Sequence, residues 1–189
     1  MSDLEQRLRS ILRASPRLMT VMRIARSLAL PDWLIFSGAI YQPVWNHQTG
    51  RPPDHGIKDY DLGYFDASDT GWDAEDAVIR LVAAALPPAL RDLVEVRNQA
   101  RVHLWFEDHF GEPYAPLADT AEALTRFAAP AFSVGARLEA DDSLTLVAPF
   151  GLEDVFGLRL RPNPRRRVEA FPRIVAGVRA RWPELVVEV

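Results

Sequence analysis

Two aspartates separated by a single residue, Asp59 and Asp61, are the side chains whose type and spacing could do chemistry. On a β-strand, side chains at positions i and i+2 lie on one face, with Cα atoms roughly 6.5 Å apart. Both carboxylates can then reach one divalent cation, and without a cation or a proton between them they repel each other. The pattern therefore predicts a magnesium or manganese site. The alternative is an exposed strand face on which both acids are solvated.

The residues before this pair predict a place for phosphate groups. The apolar run from Trp33 to Phe36 is typical of a buried strand, and Ser37-Gly38 then turns into a helix that we expect to end near Asn46. A glycine lets a ligand approach the backbone, and a helix start offers free N–H groups and a partial positive charge. Ser37 and Gly38 are therefore candidates to bind nucleotide phosphates. The alternative is that Gly38 only makes the tight turn.

Apolar periodicity and turn residues divide the remaining chain into helices and strands. Expected helices cover about 4–12, 16–24, 72–86, 102–110 and 165–182, with another beginning at Asp119 or Thr120. Expected strands cover 57–65, 93–96, 132–138, 144–147 and 185–189. Glycines and prolines between His47 and Gly56 predict a loop. The mixture predicts the α/β fold class, with a mixed central sheet flanked by helices.

The order of strand, small-residue turn, helix, loop and acid-x-acid strand resembles the nucleotidyltransferase superfamily. More closely, the chain resembles a bacterial family of little-characterised nucleotidyltransferase-like proteins, from about residue 18 onward. The matching stretches are 37–46, 56–66, 95–105, 149–156 and 161–164, and the second of them reads Gly-Ile-Lys-Asp-Tyr-Asp-Leu-Gly-Tyr-Phe-Asp. The small-residue pair of this chain is Ser37-Gly38 or Gly38-Ala39, so its second small residue is displaced from the usual superfamily position. The interval between Gly38 and Asp59 is also longer than is usual in the superfamily, because it contains the loop from His47 to Gly56.

This resemblance implies a fold and an activity. It implies a nucleotidyltransferase-like core over about 18–115 and an α+β C-terminal extension over about 116–189, within a single domain. The implied reaction transfers a nucleoside monophosphate from an NTP to a hydroxyl acceptor, with Mg²⁺ or Mn²⁺ held by Asp59 and Asp61. The acceptor stays open among a small molecule, a protein side chain and an RNA end.

A third carboxylate and several polar groups complete the candidate site. Glu95 is the best-placed third acid, for catalysis and for the metal, and its alternative is an ion pair with Arg97. Arg97, Arg101 and Lys58 could neutralise a triphosphate. Lys58 lies on the opposite face from the aspartates in a regular strand, which favours a surface lysine. Asn98 could orient a base or ribose, or instead cap backbone groups.

Two other functions are compatible with the same residues. One is a nucleotide-binding or partner-binding module of this fold that has lost turnover, since the small-residue pair is displaced. The other is a metal-dependent hydrolase, because ligand types also occur at Asp54, Asp59 and three histidines: His47, His55 and His103. Their spacing matches no established ligand signature.

Tryptophans and a run of arginines carry two further expectations. Four tryptophans fall at apolar positions and are expected in the core: Trp33, Trp45, Trp72 and Trp105. The run from Arg165 to Arg167 is expected to be a solvated helix start. Because a helix start favours acids, contact of these arginines with an anion or a partner is the alternative.

Composition limits the function classes. The 189 residues are 48% hydrophobic and 25% charged, which suits a globular core, and the absence of cysteine excludes disulfides, thiolate metal sites and cysteine nucleophiles. A net charge of -4 and a pI near 5.6 argue against general DNA binding. The charged first thirteen residues and the lack of a long apolar run predict a cytoplasmic protein with no membrane partner.

Overall fold

A five-stranded mixed sheet lies at the centre of the computed structural model, which describes residues 2–188. Its strands are β1 (Leu34–Phe36), β2 (Tyr60–Tyr64), β3 (Val94–Asn98), β4 (Gly135–Leu138) and β5 (Leu144–Val147). Their order in the sheet is β3-β2-β1-β4-β5, and within this sheet only β2 and β3 run parallel. Two short parallel strands, β6 (Arg159–Leu160) and β7 (Val186–Val187), form a separate pair. The predicted α/β fold with a mixed central sheet is confirmed.

Helices surround the sheet. The α-helices are α1 (Asp3–Arg13), α2 (Pro16–Ser27), α3 (Gly38–Gln48), α4 (Trp72–Ala85), α5 (Pro88–Arg91), α6 (Phe106–Phe110), α7 (Thr120–Ala123), α8 (Glu153–Phe156) and α9 (Phe171–Arg179). Three 3₁₀ segments cover Gln99–Leu104, Leu124–Arg126 and Pro130–Phe132. Asp119 caps α7 by accepting from the Glu122 backbone N–H, as its residue type favours. Of the helices in residues 2–188, none is long and apolar enough to cross a membrane.

The two faces of the sheet have different partners, because successive strand residues alternate in direction. Ile35, Tyr60 and Leu62 lie in the main core, which also takes its residues from α1–α4 and from the C-terminal half. Leu34 and Phe36 belong to a smaller apolar cluster. The strand alternation places Asp61 on the face of this smaller cluster, away from the main core.

Two predicted helices are shorter than expected. The segment predicted as a helix over 102–110 is a 3₁₀ stretch followed by α6, which ends at the left-handed Gly111. The helix predicted from Arg165 begins only at Phe171, with a proline in its first turn. Before it, Asn163 donates from its side chain to the backbone carbonyls of Thr125 and Phe127, and this ties the segment to the body of the protein.

The C-terminal half completes the central sheet. β4 pairs directly with β1, in the register Ile35 to Ala136. Trp182 is fully buried, packs edge-on against Trp45 with ring centroids 5.4 Å apart, and donates to the Asn46 side chain at 2.9 Å. The predicted division near residue 115 therefore runs through a shared sheet and a shared core.

The tryptophans only partly follow the expectation. Trp33 and Trp45 are buried in the main core. Trp72 is 57% exposed, and the guanidinium of Arg101 lies 5.5 Å from its ring, so its predicted core position is wrong. Trp105 is half-buried in a cavity wall. The buried side of α4 begins at Glu75, so Trp72 in the first turn faces outward.

Candidate active site

Asp61 and Glu95 are neighbours on adjacent strands. Parallel pairing of β2 and β3 sets their Cα atoms opposite each other, and Phe36 is the partner of Asp61 on the other side. Asp59 lies two residues before Asp61 and immediately before β2. The structure therefore brings the three predicted acids to one end of β2, as the i, i+2 spacing and a neighbouring strand require.

The Asp61 carboxylate is held in an unfavourable environment for a charge. The pKa of Asp61 is raised to about 7, mainly by burial and then by the nearby charges of Asp59 and Glu95, with Arg97 opposing the shift. A raised pKa from these causes means that the ionised carboxylate lacks a compensating cation. Asp61 at neutral pH therefore favours either a proton or a bound metal ion.

Asp59, Asp61 and Glu95 suit a divalent cation whose remaining ligands are water and substrate phosphates. Within residues 2–188, no group of three or more histidine, aspartate or glutamate side chains is arranged to hold an ion by itself. Magnesium commonly binds through one or two carboxylates and fills its other positions with water and substrate phosphates. The aspartate pair matches that kind of site rather than an all-protein cage.

The start of α3 lies beside these acids. Ser37 follows Phe36, the strand partner of Asp61, and has φ +48° and ψ −115°, a conformation rarely adopted by residues other than glycine. Its backbone N–H donates to the Val134 carbonyl at 2.8 Å, and its carbonyl accepts from the Ile40 N–H at 2.8 Å. The Ser37 side chain does not cap the helix. The predicted strand, turn and helix are thus present, with strain at the serine.

Gly38 is needed for close packing at this helix start. A Cβ at position 38 would lie 2.8 Å from the Gln42 amide nitrogen. Gln42 is 6% exposed, and its Oε1 has no hydrogen-bond partner among the described residues. Its amide nitrogen donates weakly to the Tyr41 hydroxyl at 3.4 Å. A buried amide oxygen without a donor is destabilising.

Tyr41 connects this helix to the acids electrostatically. The pKa of Tyr41 is raised to about 12, mainly by burial and in smaller part by the charges of Asp61 and Asp59, while the hydrogen bond from Gln42 and the charge of Arg181 oppose the shift. Tyr41 and Gln42 were not predicted as site residues. The available signal was a glutamine within the otherwise apolar run from Ala39 to Val44, one helical turn after Gly38.

A cavity of about 730 Å³ opens on the face of the sheet that carries Asp61 and Glu95. Its lining on the sheet also includes Gly63 and Arg97. Gly63 is required there because any Cβ would overlap the Phe36 ring. Parts of 102–114 and 166–174 form the walls. The volume is in the range of small-molecule sites.

Arg97 and Lys58, two of the cationic residues predicted at the site, differ in their position relative to the cavity. Arg97 is exposed, lines the cavity two residues after Glu95, and makes no salt bridge within residues 2–188, so it is available to an anion. Lys58 is exposed just before β2 and does not line the cavity. Its position agrees with the surface interpretation.

Asn98 and Arg101, two of the residues predicted to contact the nucleotide, make contacts within the protein. Asn98 is 1% exposed, accepts from the backbone N–H of Asp66, and donates to the Asp66 carbonyl at 2.8 Å. Arg101 forms a buried ion pair with Glu75 at 2.5 Å and donates to the Thr70 carbonyl. Strand alternation turns Asn98 away from the face of Glu95. These contacts make both residues part of the scaffold, and for Asn98 they agree with the alternative that it caps backbone groups.

The histidines proposed for a hydrolase are not assembled. His47 is exposed on α3, and His55 is exposed with its ring edge-on to Trp182 at 5.8 Å. His103 lies in the 3₁₀ segment after β3, and its Nδ1 has no hydrogen-bond partner among the described residues. No metal-binding group of three forms from these side chains in the described chain.

Comparison with known proteins gives the fold and the family of this chain. A solved structure described as revealing a CCA-adding enzyme head domain superposes with a TM-score of 0.79 at 22% sequence identity, over 97% of this chain and 95% of that chain. The family model described as Nucleotidyltransferase matches residues 23–187. The chain belongs to this nucleotidyltransferase family. None of the curated proteins compared matches it.

Proposed function

We propose that the protein is a metal-dependent nucleotidyltransferase that transfers a nucleoside monophosphate from an NTP to a hydroxyl acceptor. The observation that carries the proposal is the carboxylate cluster, in which Asp61 is paired across the sheet with Glu95 and destabilised by Asp59. Such a cluster beside an open cavity suits a divalent cation and the phosphates that accompany it. Membership of the nucleotidyltransferase family supports the reaction class.

Each part of the site has a role in this proposal. Asp59 and Asp61 would hold Mg²⁺ or Mn²⁺, which supplies charge neutralisation for the phosphates and a lower pKa for the acceptor hydroxyl. The backbone at Ser37 and Gly38 would receive the distal phosphates at the start of α3. Arg97 adds a guanidinium that lines the cavity and makes no salt bridge within residues 2–188.

The reaction is a displacement at phosphorus. The acceptor oxygen forms a bond to the α-phosphorus, the bond from that phosphorus to the oxygen bridging the β-phosphate breaks, and pyrophosphate leaves. Glu95 is exposed beside Asp61, and its carboxylate would accept the hydroxyl proton. The protein residues contribute mainly position and charge, as in phosphoryl transfer generally.

Calorimetric titration tests the assignment of the site. The wild type and the Asp59→Asn/Asp61→Asn variant are titrated with ATP, GTP, CTP and UTP, with and without magnesium. We expect magnesium-dependent binding of at least one nucleotide, and its loss in the variant. Asp73→Asn, at an exposed aspartate in the first turn of α4, is the matched control and should bind normally. Unchanged binding in the double variant would exclude these aspartates as the metal site.

A nucleotide-binding module without turnover is the second candidate. Gln42 favours it, because its amide lies against Gly38 at the helix start where phosphates would bind. Pyrophosphate release separates the two functions. Release that depends on an added hydroxyl acceptor supports the enzyme, whereas tight magnesium-dependent NTP binding with no release across varied acceptors supports the module.

A further inference from the structure

We infer that the cavity beside the carboxylates continues into a groove that binds the 3′ end of a single-stranded nucleic acid. The 730 Å³ cavity and a second one of about 640 Å³ share Phe110, Glu112, Arg126, Arg166 and Glu169. The two cavities therefore adjoin, and we take them together as one groove, with Asp61 and Glu95 in the lining of the first cavity and Arg165 and Arg167 in the lining of the second. We call it the aromatic–arginine groove, after Phe110, Tyr114, Arg165 and Arg167.

The middle of the groove presents a fixed aromatic wall. Phe106 is covered by Phe110 at 4.6 Å, by Tyr114 at 4.4 Å and by the Arg166 guanidinium at 5.2 Å. Arg126 lies over the Tyr114 ring at 5.5 Å. Phe110 remains 56% exposed at the place where the two cavities meet. An exposed ring on a supported wall offers a stacking surface to a base.

The far end of the groove is positively charged. Arg126 and Arg166 are already paired with Glu122 and Glu112. Within residues 2–188, Arg165 and Arg167 have no carboxylate at salt-bridge distance, and both are exposed. Glu169 is the opposing acid in the lining, so free positive charge exceeds free negative charge there. An anionic group of the ligand is therefore favoured at this end.

The order of these features identifies the ligand. A hydroxyl is needed at the carboxylate end, an aromatic base suits the middle, and a phosphate suits the arginine end. A nucleotide chain that ends in a 3′ hydroxyl carries all three groups in that order. The acidic protein as a whole, with net charge -4, would repel a long polyanion outside the groove, so contact is limited to a few terminal nucleotides.

The role of this nucleotide chain as the acceptor rests on the proposed nucleotidyl transfer. Its binding in the groove does not depend on that reaction. The transferred nucleotide would join the 3′ oxygen through a new bond to the α-phosphorus, with release of pyrophosphate. Asp61 and Glu95 lie at the start of the groove, where that oxygen would be placed.

Fluorescence anisotropy with a 5′-fluorescein-labelled RNA of six nucleotides and a free 3′ hydroxyl tests the groove. The full-length protein should bind it saturably. Arg165→Ala/Arg167→Ala should weaken binding by about tenfold or more, and Phe110→Ala by roughly 5- to 150-fold, the range expected for one stacked base. Raising NaCl from 50 to 200 mM should weaken wild-type binding by about sevenfold if two phosphates are contacted.

Matched controls remove the same groups elsewhere. Arg80→Ala/Arg179→Ala deletes two exposed arginines outside the groove, and Leu104→Ala deletes a 54% exposed apolar side chain. Both should bind RNA as the wild type does. Phe110→Tyr keeps the ring and should retain affinity, and circular dichroism establishes that each variant is folded.

Three results would overturn the inference. The first is that the wild-type protein shows no saturable binding of the RNA. The second is that the groove variants and the control variants weaken RNA binding equally. The third is that AMP displaces the RNA as effectively as unlabelled hexamer does, which would indicate a mononucleotide site. RNA binding without magnesium-dependent NTP binding would overturn the proposed function alone. NTP binding through Asp59 and Asp61 without RNA binding would overturn the groove alone.

Discussion

At the scale of single residues, the candidate site contains groups that the fold holds in unfavourable states. Asp61 is desolvated and surrounded by like charge, Ser37 has a positive φ, and the Gln42 oxygen lacks a donor. Each is destabilising in the isolated protein. Strain and unpaired charge tend to collect where a ligand will later compensate them.

Replacing Asp61 by Asn should stabilise the protein at high pH. The raised pKa means that the folded state holds this proton more tightly than the unfolded state does, so stability falls as pH rises from about 4 to about 7. At pH 8 the variant should gain on the order of 3 kcal/mol in the free energy of unfolding. At pH 4 the two proteins should be nearly equal.

Urea denaturation at the two pH values measures the difference. Asp73→Asn serves as the control and should show no pH-dependent gain. Magnesium at pH 8 should stabilise the wild type and not Asp61→Asn. A gain that is equal at pH 4 and pH 8 would contradict an origin in the Asp61 charge.

Replacing Ser37 by Gly should stabilise the turn into α3. Ser37 has φ +48° and ψ −115°, which glycine adopts without steric strain. Relief of this strain should raise the free energy of unfolding by about 1 kcal/mol, once the entropy cost of the added glycine is subtracted. Ser37→Ala keeps the strain and should give no gain. Thermal unfolding of both variants checks this, and equal melting temperatures would show that the backbone strain is not the cause.

At the scale of secondary-structure elements, one buried network fixes β3 against α4. Glu75 on α4 is 1% exposed, and it accepts from the Arg101 side chain and from the Asn98 backbone N–H at 2.8 Å. Asn98 in turn links β3 to the chain after β2 through Asp66. This network sets where β3 ends and therefore where Glu95 lies.

Replacing Glu75 by Ala should destabilise the protein by about 3–5 kcal/mol, because Arg101 would remain largely buried without its carboxylate partner. Arg80→Ala, which breaks an exposed pair with Asp76, should cost about 0.5 kcal/mol or less. Urea denaturation compares the two. Glu75→Gln/Arg101→Met, which removes both charges, should recover part of the loss and still bind the nucleotide with magnesium. Loss of nucleotide binding in a folded double variant would restore Arg101 as a binding residue.

At the scale of the whole molecule, both halves of the chain build the sheet and the cavity. β4 and β5 extend the sheet from β1, and segments 102–114 and 166–174 form the walls above Asp61 and Glu95. Trp182, near the C-terminal end, packs on Trp45 of α3. The candidate site therefore depends on long-range packing.

A fragment of residues 1–115 should not fold. It lacks the strand that pairs with β1 and the buried Trp182 ring, so the edge of β1 and the apolar side of α3 would be exposed. Near-ultraviolet circular dichroism and urea denaturation should show no cooperative transition for the fragment, in contrast to residues 1–189. A cooperative transition in the fragment would establish the core of about 18–115 as an independent unit.

The sequence by itself determined the fold class, the strand and turn before α3, and the acids of the candidate site. These features depend on local rules. An i, i+2 spacing puts Asp59 and Asp61 on one side, an apolar run forms a buried strand, and a small-residue pair permits the tight turn. The same alternation puts Tyr60, Leu62 and Tyr64 on the opposite face of β2, where the structure shows them packed in the main core.

Only the tertiary structure decided which polar residues near those acids serve the scaffold. Asn98 and Arg101 have the residue types of a nucleotide site, but partners on α4 and after β2 occupy them. The aromatic–arginine groove joins residues about 50 positions apart in the chain, whose contact no local spacing could reveal. The physical reason is that local periodicity fixes the direction of a side chain, whereas its partner, its burial and its pKa depend on chain segments brought together only by folding.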